Sequence, residues 1–319
     1  MFGYAILNHI WDNPDFHFYA YEKNEEISIS LRNEKRHPFF FQDVSLHNNI
    51  EIVQNFEEFL PDMDIVLLII PYQFIRETLE KIQPFLKPWV IIVNLSKGVN
   101  NTTFTTVSDD LAHVLKSFPY SYAIVSGGMI AGELISGAPV GADIGLSQWK
   151  DREILNGLFF RKNLHINCID WSVKNIELYG ALKNIFALYA GYLEWTWYGA
   201  STIGLYICKM LQELRIILPM LGGTTDIDLA QFSLGGDIVA TCFGNSRNRY
   251  LWTLIWSGMS VVDALAQMNQ ERKLAEGYET LKGLRQLISK KPELIELQNI
   301  VSIFFPNESM VISENCRKK

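Results

Sequence analysis

The sequence predicts two successive architectures, an α/β N-terminal half and an all-α C-terminal half, and three observations carry that reading. Short apolar runs without polar alternation recur early, at IEIV (50–53), IVLLII (65–70), VIIVNL (90–95) and YAIVSG (122–127). Such runs suit strands of a parallel sheet covered on both faces. Amphipathic stretches separate them, FIRETLEKIQPFL (74–86) and TTVSDDLAHVLKSF (105–118) among them, which gives repeated strand, helix, strand units. After Ser172, an expected N-cap, the periodicity turns helical for the remainder. A chain of 319 residues exceeds one core of ordinary size, so two domains are expected, 1–171 and 172–319.

Taken in order, helical spacing at Ile6, Ile10 and Trp11 follows Gly3 and stops at the breaker DNPD (12–15). FHFYAY (16–21), aromatic-rich, reads as the first strand and ends on Glu22. The four apolar runs follow as further strands, and APVGADIGL (138–146) and LHINCI (164–169) read as the last strands of that half. The helical half is expected over roughly 173–196, 201–220, 226–232, 248–257, 260–267, 276–289 and 292–305.

With 48% hydrophobic and 20% charged residues the chain can bury substantial cores. Its net charge of −7 disfavours diffuse attachment to nucleic acid or anionic lipid, so an anionic ligand needs a local basic pocket. Cys168, Cys208, Cys242 and Cys316 are scattered without CxxC spacing, which points to a reducing, cytoplasmic setting. Segment 177–221 is apolar but carries Lys183, Glu194, Lys209, Glu213 and Arg215, and reads as buried helices rather than a membrane span. The six histidines show no HxH or HExxH spacing, so no metal is expected, and NCRKK (315–319) reads as a solvated tail.

Four stretches carry candidate chemistry. Glu22 stands nineteen residues after Gly3, the spacing at which a dinucleotide fold places its ribose-binding carboxylate after a glycine turn. In NLSKGVN (94–100), Lys97 follows an apolar strand directly, where an open α/β sheet presents side chains to ligand. ELYGALKNIFALYAGY (177–192) sets Lys183 in an apolar helix beside the small residues Gly180, Ala187 and Ala190. An ammonium there needs an anion or a polar network, and desolvation favours its neutral form. SLGGDIVATCFGNSRNRY (233–250) offers Thr241, Ser246, Arg247, Asn248 and Arg249 as donors near a helix N-terminus, an arrangement that suits phosphate. Asp237 can accept from substrate hydroxyls or steady Lys183. Trp195 and Trp197, like Phe304 and Phe305, read as core or interface.

The ordered set PYQFIR (71–76), LSKGV (95–99), SGGMIAGELISGAP (126–139), GALKN (180–184), GD (236–237), TC (241–242), SRNR (246–249) and AEG (275–277) resembles the NAD(P)-dependent glycerol-3-phosphate dehydrogenases over almost the whole chain. That resemblance implies a Rossmann-like N-terminal domain and an all-α C-terminal domain like that of 6-phosphogluconate dehydrogenase. It also implies interconversion of dihydroxyacetone phosphate and sn-glycerol 3-phosphate with NAD or NADP, supply of phospholipid precursor, and a homodimer. Position by position, it makes Lys183 the catalytic lysine and sets Lys97 near substrate and nicotinamide. Asn184 and Asp237 become substrate contacts, Ser246, Arg247 and Asn248 the phosphate segment, and Arg247 also a neighbour of the cofactor. Gly127 and Ala131 match a loop touching substrate and cofactor, and Leu274 and Glu276 a cofactor segment. Phe2 and Gly3 match the last aromatic and glycine of the GxGxxG region, so the first strand and first two glycines, roughly ten residues, are expected ahead of Met1.

Departures from the family pattern bear on specificity. GGMIA (127–131) puts Met129 where the loop commonly offers a polar side chain, and EWTWYGAST (194–202) replaces a glycine-rich turn, with Ser201 at the usual Asn position. A non-catalytic relative, or a reductase of another phosphorylated or carboxylated ketone, is the alternative. Glu22 favours NAD over NADP, because a carboxylate accepts from a free 2′-hydroxyl and repels a 2′-phosphate.

Overall fold

The computed structural model describes residues 1–170, 173–244, 246–271 and 273–306; Ser172, Cys316 and the 315–319 tail lie outside the described residues. The chain divides into two compact units. The α/β unit contains Met1–Lys97, Val107–Ile176 and Gln231–Ser233; the helical unit contains Gly98–Thr106, Glu177–Ala230 and the chain from Leu234 onward. A single cut at 171/172 therefore does not describe them, because two short segments change sides.

The α/β unit runs α1 (Phe2–Ile10), β1 (Phe18–Tyr21), α2 (Glu25–Asn33), β2 (Ile50–Val53), β3 (Ile65–Leu68), α3 (Ile75–Ile82), β4 (Val90–Asn94), α4 (Val107–Val114), β5 (Tyr120–Gly127), α5 (Ala131–Ser136), β6 (Val140–Leu146), α6 (Arg152–Phe159) and β7 (Leu164–Ile169). Its strands form two sheets, a parallel pair β1–β2 and a five-stranded sheet ordered β3-β4-β5-β6-β7. All five residues of β4 are buried, which is why VIIVN carries no polar alternation. The apolar residues of α1, Tyr4, Ala5, Ile6 and Ile10, enter one core cluster together with Ile91, Val93, Ala123 and Val125 of the sheet.

β6, whose direction the sequence leaves open, is antiparallel to β5. The connection, residues 128–139 with the six-residue α5 inside it, is at the short end of what a parallel crossover uses. Left-handed Gly137 (φ 74°) ends α5 and turns the chain straight back. The resulting register sets Gly127 opposite Ala142, and a Cβ at Gly127 would lie 2.2 Å from the Gly141 carbonyl oxygen.

The helical unit holds most of α7 (Val173–Trp195), then α8 (Ala200–Met220), α9 (Asp237–Phe243), α10 (Arg247–Trp256), α11 (Val261–Gln270), α12 (Glu276–Ser289) and α13 (Ile295–Phe304). From Leu178 to Ala190 the apolar side chains of α7 are all buried, so it is a core helix rather than an amphipathic one. The helix expected at 226–232 is absent. Asp228 bonds its own side chain to the Ala230 N–H at 2.8 Å, which offers the backbone a turn instead. The chain then widens into a π-helix over Phe232–Gly236. Gly235 is required there, since its Cβ would sit 2.0 Å from the Leu229 carbonyl oxygen.

Glu213 of α8 fastens α13 by accepting the N–H groups of Glu296 (2.6 Å) and Leu297 (2.9 Å), two donors a helix start leaves unpaired. Burial raises the Glu213 carboxyl above its ordinary pKa, while the two N–H donors pull it down. Because the folded value lies above the unfolded one, about 4.3, this group's stabilisation is complete below the unfolded value and fades as pH rises through the folded one. Glu213→Gln, permanently neutral, should therefore gain on the wild type in thermal stability as pH rises from acid to neutral; a pH-independent difference would refute this. Gly127→Ala should cost about 1–3 kcal/mol or more in chemical denaturation, because the sheet must part to admit the methyl group.

Candidate functional site

Lys183 lies in the apolar middle of α7, where an ammonium deprived of water needs strong compensation. That compensation comes from α9: Nζ is 2.6 Å from Asp237 Oδ1 and 2.8 Å from Thr241 Oγ1. Asp237 and Thr241 stand one turn apart and so share a face. The threonine hydroxyl donates in turn to the Asp237 carbonyl at 2.6 Å. Lysine and aspartate are 6% and 2% exposed, so the pair is shielded from bulk water. Neighbouring Cys242 is pushed up to about 12 by burial and stays a thiol.

Asn184, the next residue on α7, begins a second polar chain. It accepts from Asn248 Nδ2 at 3.1 Å and donates to Glu276 Oε2 at 3.2 Å. Asn248 Oδ1 accepts the Gly277 N–H at 2.8 Å, and Glu276 Oε1 takes Arg247 Nη2 at 2.7 Å. Gly277 lets the start of α12 close on α7, since a Cβ there would be 2.3 Å from the Asn184 carbonyl oxygen. One carboxylate thus joins the helix of the lysine to the first arginine of the SRNR stretch.

Ser246 caps α10, its hydroxyl accepting the Arg249 N–H at 3.2 Å. The Arg249 guanidinium is engaged within the protein: Nη1 donates to the Gly244 carbonyl at 3.0 Å and Nη2 pairs with Glu194 of α7. A cavity of about 570 Å³ opens beside this corner, lined by Ser246, Arg247 and Arg249 and walled by Trp195, Trp197 and Trp256. Trp197 is 84% exposed and held at φ 67°, an unusual conformation for a bulky residue.

In the α/β unit, Lys97 follows β4 and donates to the Gly127 carbonyl at 2.9 Å, so both sit at the carboxyl ends of neighbouring parallel strands. Phe2 and Gly3 open α1, whose N-terminus has no side-chain cap. Glu22 directly follows β1 and accepts the Asn24 N–H through Oε1 at 2.8 Å. A strand-end carboxylate, a helix start and a strand-end ammonium are the kinds of group a dinucleotide-binding α/β unit uses.

The expected residues therefore fall into two sets, each within its own unit. Lys97 meets Gly127; Lys183, Asn184, Asp237, Ser246, Arg247, Asn248 and Glu276 come together in the helical unit. Ala131 is 6% exposed and packs in the core, and Leu274 is 39% exposed just before α12. Met129 also packs in the core, so GGMIA stabilises the fold where a polar loop residue was the family expectation. Thr241, which the sequence offers as a phosphate donor, bonds Lys183, and Gly277, in the AEG stretch, brings α12 against α7. The signal for the first is its i, i+4 spacing from Asp237.

Family models for the N-terminus and C-terminus of NAD-dependent glycerol-3-phosphate dehydrogenase match residues 1–150 and 172–311. A glycerol-3-phosphate dehydrogenase [NAD(P)+] of Nitratidesulfovibrio vulgaris is 27% identical over 284 residues, 84% of this chain and 83% of the relative. One from Fusobacterium nucleatum is 25% identical over 315 residues, 98% and 91% of the two. The crystal structure of glycerol-3-phosphate dehydrogenase from Coxiella burnetii superposes with a TM-score of 0.81 over 96% of this chain and 92% of that one. At 18% identity this is a likeness of fold.

Removing the carboxylate should expose how much the buried pair matters. Asp237→Ala strands the ammonium and should cost about 3–5 kcal/mol in denaturant unfolding, with Asp237→Asn costing less. Alkylation of the native protein at mildly alkaline pH, read by peptide mass, should mark exposed Cys208 and spare Cys242.

Proposed function

The chain belongs to the NAD-dependent glycerol-3-phosphate dehydrogenase family, and on that premise we propose that it interconverts dihydroxyacetone phosphate and sn-glycerol 3-phosphate, with Lys183 moving the proton. The observation that carries this reading is the buried Lys183–Asp237–Thr241 cluster, one residue along α7 from the network that reaches Arg247.

The dinucleotide supplies the chemistry of hydride exchange with carbon C2 of the substrate. Lys183 delivers a proton to the forming alkoxide oxygen during reduction and takes it back in the reverse direction. Asp237 and Thr241 aim the ammonium before substrate arrives, so no side chain has to be ordered during reaction. Asn184 orients the hydroxyl end of the substrate, with Asp237 at hand as acceptor. Ser246, Arg247 and Asn248 hold the phosphate at the start of α10, where helix N–H groups add to the guanidinium. Arg247 is 48% exposed at its side chain, so it can reach an incoming anion while keeping Glu276 as its counter-charge.

Lys97 polarises the carbonyl, and the backbone from Gly127 to Ala131 lines the same ligand. Phe2, Gly3 and Glu22 hold the adenosine side of the dinucleotide, and Leu274, Glu276 and Arg247 its other contacts. The Glu22 carboxylate makes NAD the preferred form. A cytoplasmic homodimer fits this reading, and exposed apolar residues such as Trp197 and Val262 of the helical unit suit a subunit contact.

Following NADH oxidation with dihydroxyacetone phosphate tests the proposal. Turnover should require the phosphate group, and its absence in the wild type would overturn the substrate class. Lys183→Ala should lower kcat by roughly 10²–10⁴-fold, whereas equal turnover would overturn only the role of the lysine. Arg247→Ala should raise KM for the phosphorylated substrate at least about tenfold and weaken discrimination against dihydroxyacetone.

A further inference from the structure

We propose that Arg249 is a positioning residue for the phosphate end of the substrate, setting the Gly244–Ser246 corner against the helix that carries Lys183. This rests on the phosphate role given above to Ser246 and Arg247. The geometry is specific. Arg249 grips the corner twice, by its backbone N–H on the Ser246 hydroxyl at 3.2 Å and by Nη1 on the Gly244 carbonyl at 3.0 Å. That carbonyl also accepts the Ser246 N–H at 2.9 Å, so the guanidinium holds the one oxygen to which Ser246 is itself tied.

The other arm of the guanidinium is anchored to Glu194. Glu194 lies eleven residues beyond Lys183 on the same helix, about 16 Å along its axis, and close to the same face at 3.6 residues per turn. A rigid rod therefore carries the proton-moving group at one point and the counter-charge of the phosphate corner at another. Arginine suits the task because its planar fork serves two acceptors in fixed directions, which a lysine cannot do. Glu194 and Arg249 both line the cavity beside the corner, so this contact borders the space a ligand enters. Arg249 contacts no reacting atom in this scheme; it acts through Ser246 and Arg247.

The test compares dihydroxyacetone phosphate with unphosphorylated dihydroxyacetone in the full-length wild type, Arg249→Met, Glu194→Gln and the double variant. With the phosphorylated substrate, KM should rise about tenfold in Arg249→Met and less in Glu194→Gln, with kcat within about twofold of the wild type. Without a phosphate to place, turnover should change less than twofold. The double variant should fall short of the product of the two single effects, because both break one contact. A merely structural role would lower kcat on both substrates together, by reducing the folded fraction, and that result overturns the inference. Equal KM in all four proteins also overturns it. If the wild type itself fails to distinguish the two substrates, the phosphate assignment fails first. Should Arg249→Met not fold, Glu194→Gln, whose side chain is 56% exposed, carries the same comparison alone.

Discussion

The need to neutralise one ammonium inside an apolar helix shapes the whole helical unit. Lys183 is flanked on α7 by Leu182, Ile185, Phe186 and Ala187, none of which can solvate a charge. Desolvating a cation costs several kcal/mol unless hydrogen-bonded partners are already in place. Asp237 and Thr241 meet that need, and their helix must therefore start where the π-turn ends, at Gly236. The glycines before Asp237 follow from this: Gly235 passes so close to Leu229 that no side chain fits. A pair this well shielded stabilises less than an apolar replacement of equal shape could, so its retention fits a chemical role rather than a purely structural one.

The second network extends the same logic to the residues beside it. Asn184 shares its helix turn with Lys183, and through Asn248 and Glu276 it fixes α10 and α12 to α7. Each amide group in that chain spends donors and acceptors on named partners, so rotation of one side chain would unpair several others. A site built this way keeps its polar atoms in place before ligand arrives, which is where most of the electrostatic advantage of an enzyme originates.

Much of this was legible in the sequence, and the failures have physical causes. Unalternating apolar runs mark β3, β4 and β5 of the five-stranded sheet, because burial on both faces leaves its mark on composition, whereas β6 and β7 lie in the more mixed APVGADIGL and LHINCI. Strand direction left no such mark: nothing in the composition of APVGADIGL shows that β6 runs antiparallel to β5. The missing helix at 226–232 was lost to Asp228, whose side chain competes locally for the backbone. In the site, Lys183 was conspicuous as the wrong residue in an apolar helix, and Asp237 was named as a possible partner. Thr241 reads in sequence as an anion donor like Ser246 and Arg247, whereas its helix face points to the lysine. Arg249 reads the same way, since nothing in SRNR reveals that its guanidinium pairs with Glu194.

The route of the chain between its units has a consequence for modularity. Gly98, at φ 129°, lies where the backbone leaves the strand end at Lys97 and passes to the helical unit, a conformation open mainly to glycine. The nine residues that follow are counted with the helices: Val99 is part of their core, and Asn101 lies so near α12 that Gly283 could carry no Cβ. Gln231–Ser233 make the reverse excursion. Shuffling either half into another protein at one junction would thus tear a plug from the recipient core and leave an orphaned loop behind. An exchange that keeps both cores whole moves three separate stretches together, a topological lock whose first boundary falls directly after Lys97.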